Sequence, residues 1–325
     1  MTTTVKTDSI IVATGIRKTY STGKVKVEAL RGVDITITRG EMVAIMGPSG
    51  CGKTTLLNCL SGLDDIDEGG SIKIADSELT TMSDNEKTKY RARQMGYIFQ
   101  SYNLLPVLSA LENVELPMLV SGANPKETRE KAMRALEMVG LSTVASVRAG
   151  TLSLGMSQRL GIAAALIGDP PVLLFDEPVN GLDPEGIHWV RTLMRTLAGE
   201  GRTVLVSSHL LSEMANTADR LVVIGRGKLI ASTTVSEFVG RSGGATVRVR
   251  SPQLPALRDV LTAAGLTVDD GPDALTVREA TTDSVGELAA QHAIVLHELS
   301  AVQVSLEQAY LSSTDDATEF RGGHR

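Results

Sequence analysis

The sequence predicts an α/β protein: a mostly parallel sheet with helices on both faces, followed by a smaller α+β module. Three observations predict it. Short runs rich in aliphatic and β-branched residues alternate with segments of helical length. A glycine-rich loop follows directly on one of those runs. Composition then shifts near Gly240, where Gly240-Arg-Ser-Gly-Gly244 reads as a linker. A chain of 325 residues is long enough for about two domains.

The elements follow in chain order. Ile10–Ala13 and Val33–Ile37 are short β-branched runs and read as strands. Met42–Met46 is apolar throughout, as a strand covered on both faces requires. Lys53–Leu60 reads as a helix, Ser83–Gln94 as an exposed charged helix, and Met95–Phe99 as a strand. From Pro125 to Gly140, an Asn-Pro-Lys-Glu start and a glycine stop bracket a helix. Its apolar positions Ala132, Ala135, Leu136 and Val139 recur at helical spacing. Ser153–Ile167 reads as a second amphipathic helix. Pro170-Pro171 then leads into Val172–Phe175, a buried strand, with further strands at Thr203–Ser207 and Leu221–Ile224.

Beyond the linker, Thr246–Arg250 alternates valine with arginine, the pattern of a strand with one wet face. Leu257–Ala264 and Asp283–Gln291 read as helices. Leu266–Val268, Ala274–Val277, Ala293–Leu296 and Ala301–Val304 read as strands, and Leu306–Leu311 as helical turns. This β-α-β-β-α-β order predicts a ferredoxin-like module. The polar tail Asp315–Arg325 is expected to be mobile.

Composition excludes several function classes. A net charge of −6 argues against a general nucleic-acid binder, which needs a basic footprint. Aromatic residues make up only 3%, too few for a row of base-stacking platforms. Two cysteines, Cys51 and Cys59, cannot build a disulfide scaffold. The N-terminal stretch lacks the basic region and apolar run of a signal peptide, and no uninterrupted apolar run is long enough to span a membrane. A soluble, intracellular protein is the expectation.

The chemistry starts at Gly47-Pro-Ser-Gly-Cys-Gly-Lys-Thr-Thr55, which matches the phosphate-binding pattern G-x-x-x-x-G-K-[ST]. Its glycines let backbone N–H groups turn inward as an anion nest, and the following helix aims its positive end at the same point. Gly47, Ser49, Gly50, Cys51, Gly52, Lys53, Thr54 and Thr55 are therefore candidate nucleotide contacts. Lys53 can reach the β- and γ-phosphates, and Thr54 can offer its hydroxyl to Mg²⁺. Cys51, at a helix N-terminus, is expected to have a lowered thiol pKa and to react with alkylators. Cys59 reads as buried filler. Downstream, the apolar strand Val172–Phe175 runs into Asp176 and Glu177. Asp176 can hold the metal, and Glu177 can orient and activate an attacking water. Together the loop and this acidic pair point to a nucleoside triphosphatase.

Leu152-Ser153-Leu154-Gly155-Met156 then stands at the start of a helix, with Ser153 23 residues before Asp176. Here the chain resembles the ATP-binding-cassette (ABC) family, whose signature peptide LSGGQ occupies this place. The resemblance covers about residues 8–240. It implies a P-loop (RecA-like) core with an antiparallel β subdomain and a helical subdomain at about 101–168. The cassette would span 1–240, and residues 241–325 would form an accessory or regulatory module. Ser153 and Gly155 match family positions that contact the γ-phosphate. Tyr20, in Arg17-Lys-Thr-Tyr20, resembles the aromatic residue that stacks on adenine. Gln100, in Tyr97-Ile-Phe-Gln100, resembles the glutamine that joins Mg²⁺ or the water to the membrane partner. Asp183, in Asn180-Gly-Leu-Asp183, resembles the residue that reaches across a dimer. His209, in Val206-Ser-Ser-His209, resembles the switch histidine at the γ-phosphate.

The resemblance implies ATP and Mg²⁺ as cofactors, with ATP sandwiched between two such subunits as a homodimer or heterodimer. It also implies transmembrane permease subunits as partners and a peripheral place on the cytoplasmic face of the membrane, while the acidic balance argues for no nucleic acid. The form LSLGM looks like that of drug and antibiotic exporters. The first 140 residues look like the macrolide-export and lipoprotein-release branch, and residues 151–325 like the drug-export branch. The implied function is the ATPase subunit of an exporter. The alternative is a soluble cassette ATPase acting on ribosomes or DNA.

Overall fold

The structure, a computed structural model, describes residues 8–23, 25–210, 217–242 and 246–302. It divides into two compact units, one up to Ser232 and one beginning at Thr233.

In the first unit, strands β1 (Ser9–Thr22) and β2 (Val25–Thr38) pair antiparallel. Strand β3 (Met42–Met46) leads into the glycine loop and helix α1 (Lys53–Ser61). Strands β4 (Ser71–Ile74) and β5 (Ser77–Glu78) complete an antiparallel sheet ordered β2-β1-β4-β5. Next come α2 (Asp84–Gln94), β6 (Met95–Ile98), α3 (Ala110–Val120), α4 (Pro125–Met138) and α5 (Leu154–Leu166). Strand β7 (Val172–Asp176), α6 (Pro184–Gly199), β8 (Thr203–Ser208), β9 (Arg220–Gly225) and β10 (Lys228–Thr234) follow. The main sheet runs β10-β9-β3-β8-β7-β6, with β9, β3, β8, β7 and β6 parallel.

Strands β3, β7 and β8 are buried at every position, because both faces are covered. One core joins the two sheets and α1 through Ile11, Ile35, Ile45, Leu56, Leu60 and Leu174. The helices start on side-chain caps. Ser109 forms a capping box with Glu112, Asn124 accepts from Lys126 N–H, and Ser153 accepts from Met156 N–H. Among the described residues, no helix is long and apolar enough to cross a membrane.

The second unit contains α7 (Val235–Ser242), β11 (Thr246–Arg250), α8 (Leu254–Ala263), β12 (Thr267–Asp270), β13 (Leu275–Arg278), α9 (Thr282–Gln291) and β14 (Glu298–Val302). Its sheet runs β12-β13-β11-β14 with every pairing antiparallel. That is the ferredoxin-like arrangement the element order implied. It has its own core, built on Val247, Val249, Leu257, Leu261, Val277 and Val285.

Several expectations need correction. The first two strands run far beyond Ile10–Ala13 and Val33–Ile37, because their outer halves are polar and bulges interrupt the alternation between Ala13 and Ile16 and near Lys18. Helix α7 takes in Gly240–Ser242, the first residues of the expected linker. Ala293–Leu296 is not a strand: the chain is irregular there, Ile294 is buried in the module core, and the last strand begins at Glu298. Strands β4, β5 and β10 and helices α3, α6 and α7 have no counterpart in the sequence expectations. Leu306–Leu311 and the tail Asp315–Arg325 lie outside the described residues.

Candidate nucleotide site

Strands β3, β8 and β7 are neighbours and parallel, so their C-terminal ends lie side by side. Met46 pairs with Ser208, and Asp176 pairs with Ser207. This register sets the glycine loop, the acidic pair and the Val206–His209 segment along one sheet edge, where α/β folds bind ligands. The loop itself depends on glycine. A Cβ at Gly47 would collide with the Ile224 carbonyl oxygen and the Cys51 sulfur. Gly52 has φ +110°, and a Cβ there would sit 2.7 Å from the Ala29 carbonyl oxygen. Gly227 N–H donates to Cys51 O at 3.0 Å and Arg31 N–H donates to Gly227 O at 2.7 Å, fixing the loop between β2 and the β9–β10 turn.

Glu177 stands just past β7 with φ +48°, in the left-handed region. Its N–H donates to Ser207 Oγ at 2.9 Å, and the Ser207 hydroxyl donates to Asp176 Oδ1 at 2.6 Å. Thr54 Oγ1 donates to the same Asp176 oxygen at 3.1 Å. The Glu177 carboxylate lies between two partners, with Lys53 Nζ 3.4 Å from Oε1 and His209 Nδ1 2.7 Å from Oε2. Lys53 Nζ also donates to Gly47 O at 2.9 Å. Lys53 is buried and Glu177 largely so, and their charges are mutually compensated, whereas His209 is half exposed.

A cavity of about 320 Å³ opens over the loop. Ser49, Gly50, Gly52, Lys53, Thr54, Thr55, Gln100 and Glu177 line it, which brings most of the predicted phosphate and metal residues together. Tyr20 stands at the end of β1, 38% exposed, with its hydroxyl donating to Asp64 Oδ2 at 2.6 Å. Lys18 Nζ lies 5.2 Å from its ring centre. Burial first, then the Asp64 hydrogen bond, push the Tyr20 hydroxyl up to about 12.

Ser153, Gly155 and Asp183 do not line that cavity. They gather at a second one of about 270 Å³, between the starts of α5 and α6. Ser153 caps α5, and Asp183 caps α6 by accepting from Gly186 N–H at 2.8 Å. Arg159 lies over the Trp189 ring at 4.6 Å in the same wall. The predicted residues thus form two groups on one chain.

Cys51 departs from expectation. It is 5% exposed, and its sulfur faces Gly47 beneath the loop. Burial raises its thiol pKa and outweighs the lowering influence of Lys53 and the helix amides. It contributes backbone to the loop and is not an activated thiol. Cys59 is fully buried, as expected of filler, and burial pushes its thiol up to about 12. Ser207, which ties Asp176 to Glu177, was missed. It stands two residues before His209 inside a buried strand, and nothing in the sequence marks it. Arg31 and Arg226 also line the phosphate-loop cavity without a clear signature in the sequence.

Comparison with known proteins identifies the family. Residues 30–180 match the family described as "ABC transporter", and residues 245–307 match a domain of unknown function. An uncharacterised ABC transporter ATP-binding protein of Thermotoga maritima is 44% identical over 65% of this chain and 90% of its own length. The ATP-binding protein of the lipoprotein-releasing system of Hyphomonas neptunium is 38% identical over 66% of this chain and 94% of its own. A macrolide export ATP-binding/permease protein of Rhodopseudomonas palustris is 40% identical over 74% of this chain, which spans 37% of that longer protein. A dimeric ATP-binding cassette solved in a post-hydrolysis state with ADP and Pi shares 34% identity. It has a TM-score of 0.65, over 69% of this chain and 98% of its own. These relatives do not support the ribosome- or DNA-directed alternative. The chain belongs to the ABC transporter family, as an ATP-hydrolysing cassette.

Proposed function

We propose that two such cassettes bind ATP between them and power export through separate transmembrane permease subunits, on the cytoplasmic face of the membrane. The observation that carries this reading is the separation of the two groups. Lys53, Thr54, Gln100 and Glu177 line one cavity, and Ser153, Gly155 and Asp183 line another. Neither group makes a full site alone, so a second cassette, identical or related, would supply the missing half.

In this reading the loop amides from Gly47 to Thr55 and the positive end of α1 hold the phosphates, and Tyr20 stacks on the adenine. Entry of a phosphate gives Lys53 a new anion. That frees Glu177 to orient a water and accept its proton at a carboxylate oxygen. His209 holds Glu177 through Nδ1 and turns toward the γ-phosphate as the dimer closes. Ser153 and Gly155 of the second cassette bind that phosphate from the opposite side, and Asp183 reaches across the interface.

Thr54 and Asp176 fit a magnesium ion. A hydroxyl and a carboxylate oxygen meet there at 3.1 Å, the hard oxygen donors that a magnesium ion takes. Gln100 would add a further oxygen. When bound, the ion would neutralise phosphate charge in the transition state.

Export, rather than uptake, is supported by the LSLGM form and by the relatives named for macrolide export and lipoprotein release. A mostly apolar groove of about 280 Å³ beside Gln100, lined by Tyr97, Phe99, Tyr102, Leu104, Leu116 and Met118, suits a permease segment.

The test is Glu177→Gln. It should bind ATP, hydrolyse it about 10²–10⁴-fold more slowly, and elute as a dimer with ATP and magnesium. A variant that hydrolysed normally, or stayed monomeric under those conditions, would overturn the reading.

A further inference from the structure

A chain of hydrogen bonds runs from the strand carrying Tyr20 to the strand leading to Gln100. Tyr20 Oη donates to Asp64 Oδ2 at 2.6 Å, and Asn58 Nδ2 donates to the same oxygen at 3.4 Å. Tyr97 Oη donates to Asn58 Oδ1 at 2.8 Å. Each group has one possible sense here: the carboxylate only accepts, so the Asn58 amide must turn its nitrogen to Asp64 and its oxygen to Tyr97. Burial keeps both phenols protonated as donors, raising Tyr97 strongly and Tyr20 to about 12.

The links sit on three different elements. Asn58 is on α1, the helix that carries Lys53 and Thr54 at its start. Asp64 is fixed to the end of that helix, because Leu63 N–H and Asp64 N–H both donate to Asn58 O, at 2.9 and 3.2 Å. Tyr97 is on β6, three residues before Gln100, and its ring lies 4.3 Å from that of Phe99. Tyr20 itself is more than one-third exposed at a strand end, where an untethered ring would sample several rotamers.

We propose that Asp64 and Asn58 are positioning residues for the nucleotide base. They hold the Tyr20 ring at one angle and join it, through Tyr97, to the strand that leads to Gln100. A ring already ordered loses less freedom when the base stacks on it, so breaking the chain weakens ATP and spares its phosphates. The inference rests on the reading that Tyr20 meets the adenine.

The experiment measures steady-state hydrolysis by the full chain and its inhibition by tripolyphosphate, which has phosphates and no base. Asn58→Ala, Asp64→Ala and Tyr97→Phe should each raise KM for ATP roughly three- to tenfold. For Asn58→Ala and Tyr97→Phe, kcat should stay within about twofold, and inhibition by tripolyphosphate should be unchanged for all three. Asp64→Asn, which keeps an acceptor oxygen, should lie closer to wild type than Asp64→Ala. Combining Tyr20→Phe with Tyr97→Phe should cost little more than Tyr20→Phe alone, since both cut one chain. Tyr97→Phe removes a single oxygen and serves if Asn58→Ala does not fold. If Tyr20→Ala raises KM while Asn58→Ala and Tyr97→Phe do not, the inference is overturned and the site reading stands. If Tyr20→Ala also leaves KM unchanged, the adenine assignment falls with it. Equal weakening of ATP and tripolyphosphate would mean a general loss of loop structure and would likewise overturn the inference.

Discussion

Glu177 is held from three directions: a left-handed backbone pinned by Ser207, a lysine at one carboxylate oxygen and a histidine at the other. The acidic pair was legible because two carboxylates closing an apolar strand downstream of a phosphate loop have few other uses. Ser207 was not legible, because a serine inside a buried strand carries no signal until strand register sets it opposite Asp176. Cys51 shows the opposite error. Position at a helix start lowers a thiol's pKa only while water still reaches the sulfur, and here burial reverses the sign. At pH 7.5 this thiol stays protonated and covered. Iodoacetamide should therefore modify it at least roughly tenfold more slowly in the folded chain than in urea. Brief treatment should leave ATP hydrolysis intact. Equal labelling rates in the two states would contradict the buried placement.

Among the elements, those with a strong period were read well, and those defined by their partners were not. Strands β3, β7 and β8 are apolar throughout, so they stood out. Helix α3 carries Pro117 in its interior, which ordinarily argues against a helix, so its Ser109 cap went unread. Helix α6 starts on Asp183-Pro184, a good capping signal that overlaps the segment resembling a dimer contact. The long β1–β2 pair owes its outer half to pairing and bulges, and neither leaves an apolar alternation. The glycine loop was legible by its spacing, and the structure says which glycine bears most. Gly52→Ala places a side chain at φ +110° and against the Ala29 carbonyl. It should cost about 1–3 kcal/mol of stability, seen as a lower urea midpoint, and weaken ATP binding in equilibrium titration. An unchanged midpoint would show that the loop can relax.

At the scale of the whole molecule, the sequence disclosed a cassette and a second module, and each has its own core. The module's β-α-β-β-α-β order was readable from short alternating runs. Its last strand was displaced because Ile294 sits in the core as an isolated plug within irregular chain. The family resemblance implies ATP held between two subunits, and the structure sets Lys53 and Ser153 at different cavities. That division has a genetic corollary. If two copies share their sites as proposed, a lesion in the phosphate loop and a lesion in the signature helix would damage opposite halves of two composite sites. Lys53→Ala and Ser153→Arg chains should each be inactive alone. Unfolded together and refolded at equal ratio, random pairing would make half the dimers mixed, each with one unharmed site. About a quarter of wild-type turnover should return if sites act independently. Two dead alleles would then complement each other, and silence in the mixture would rule out independent sites shared between two copies.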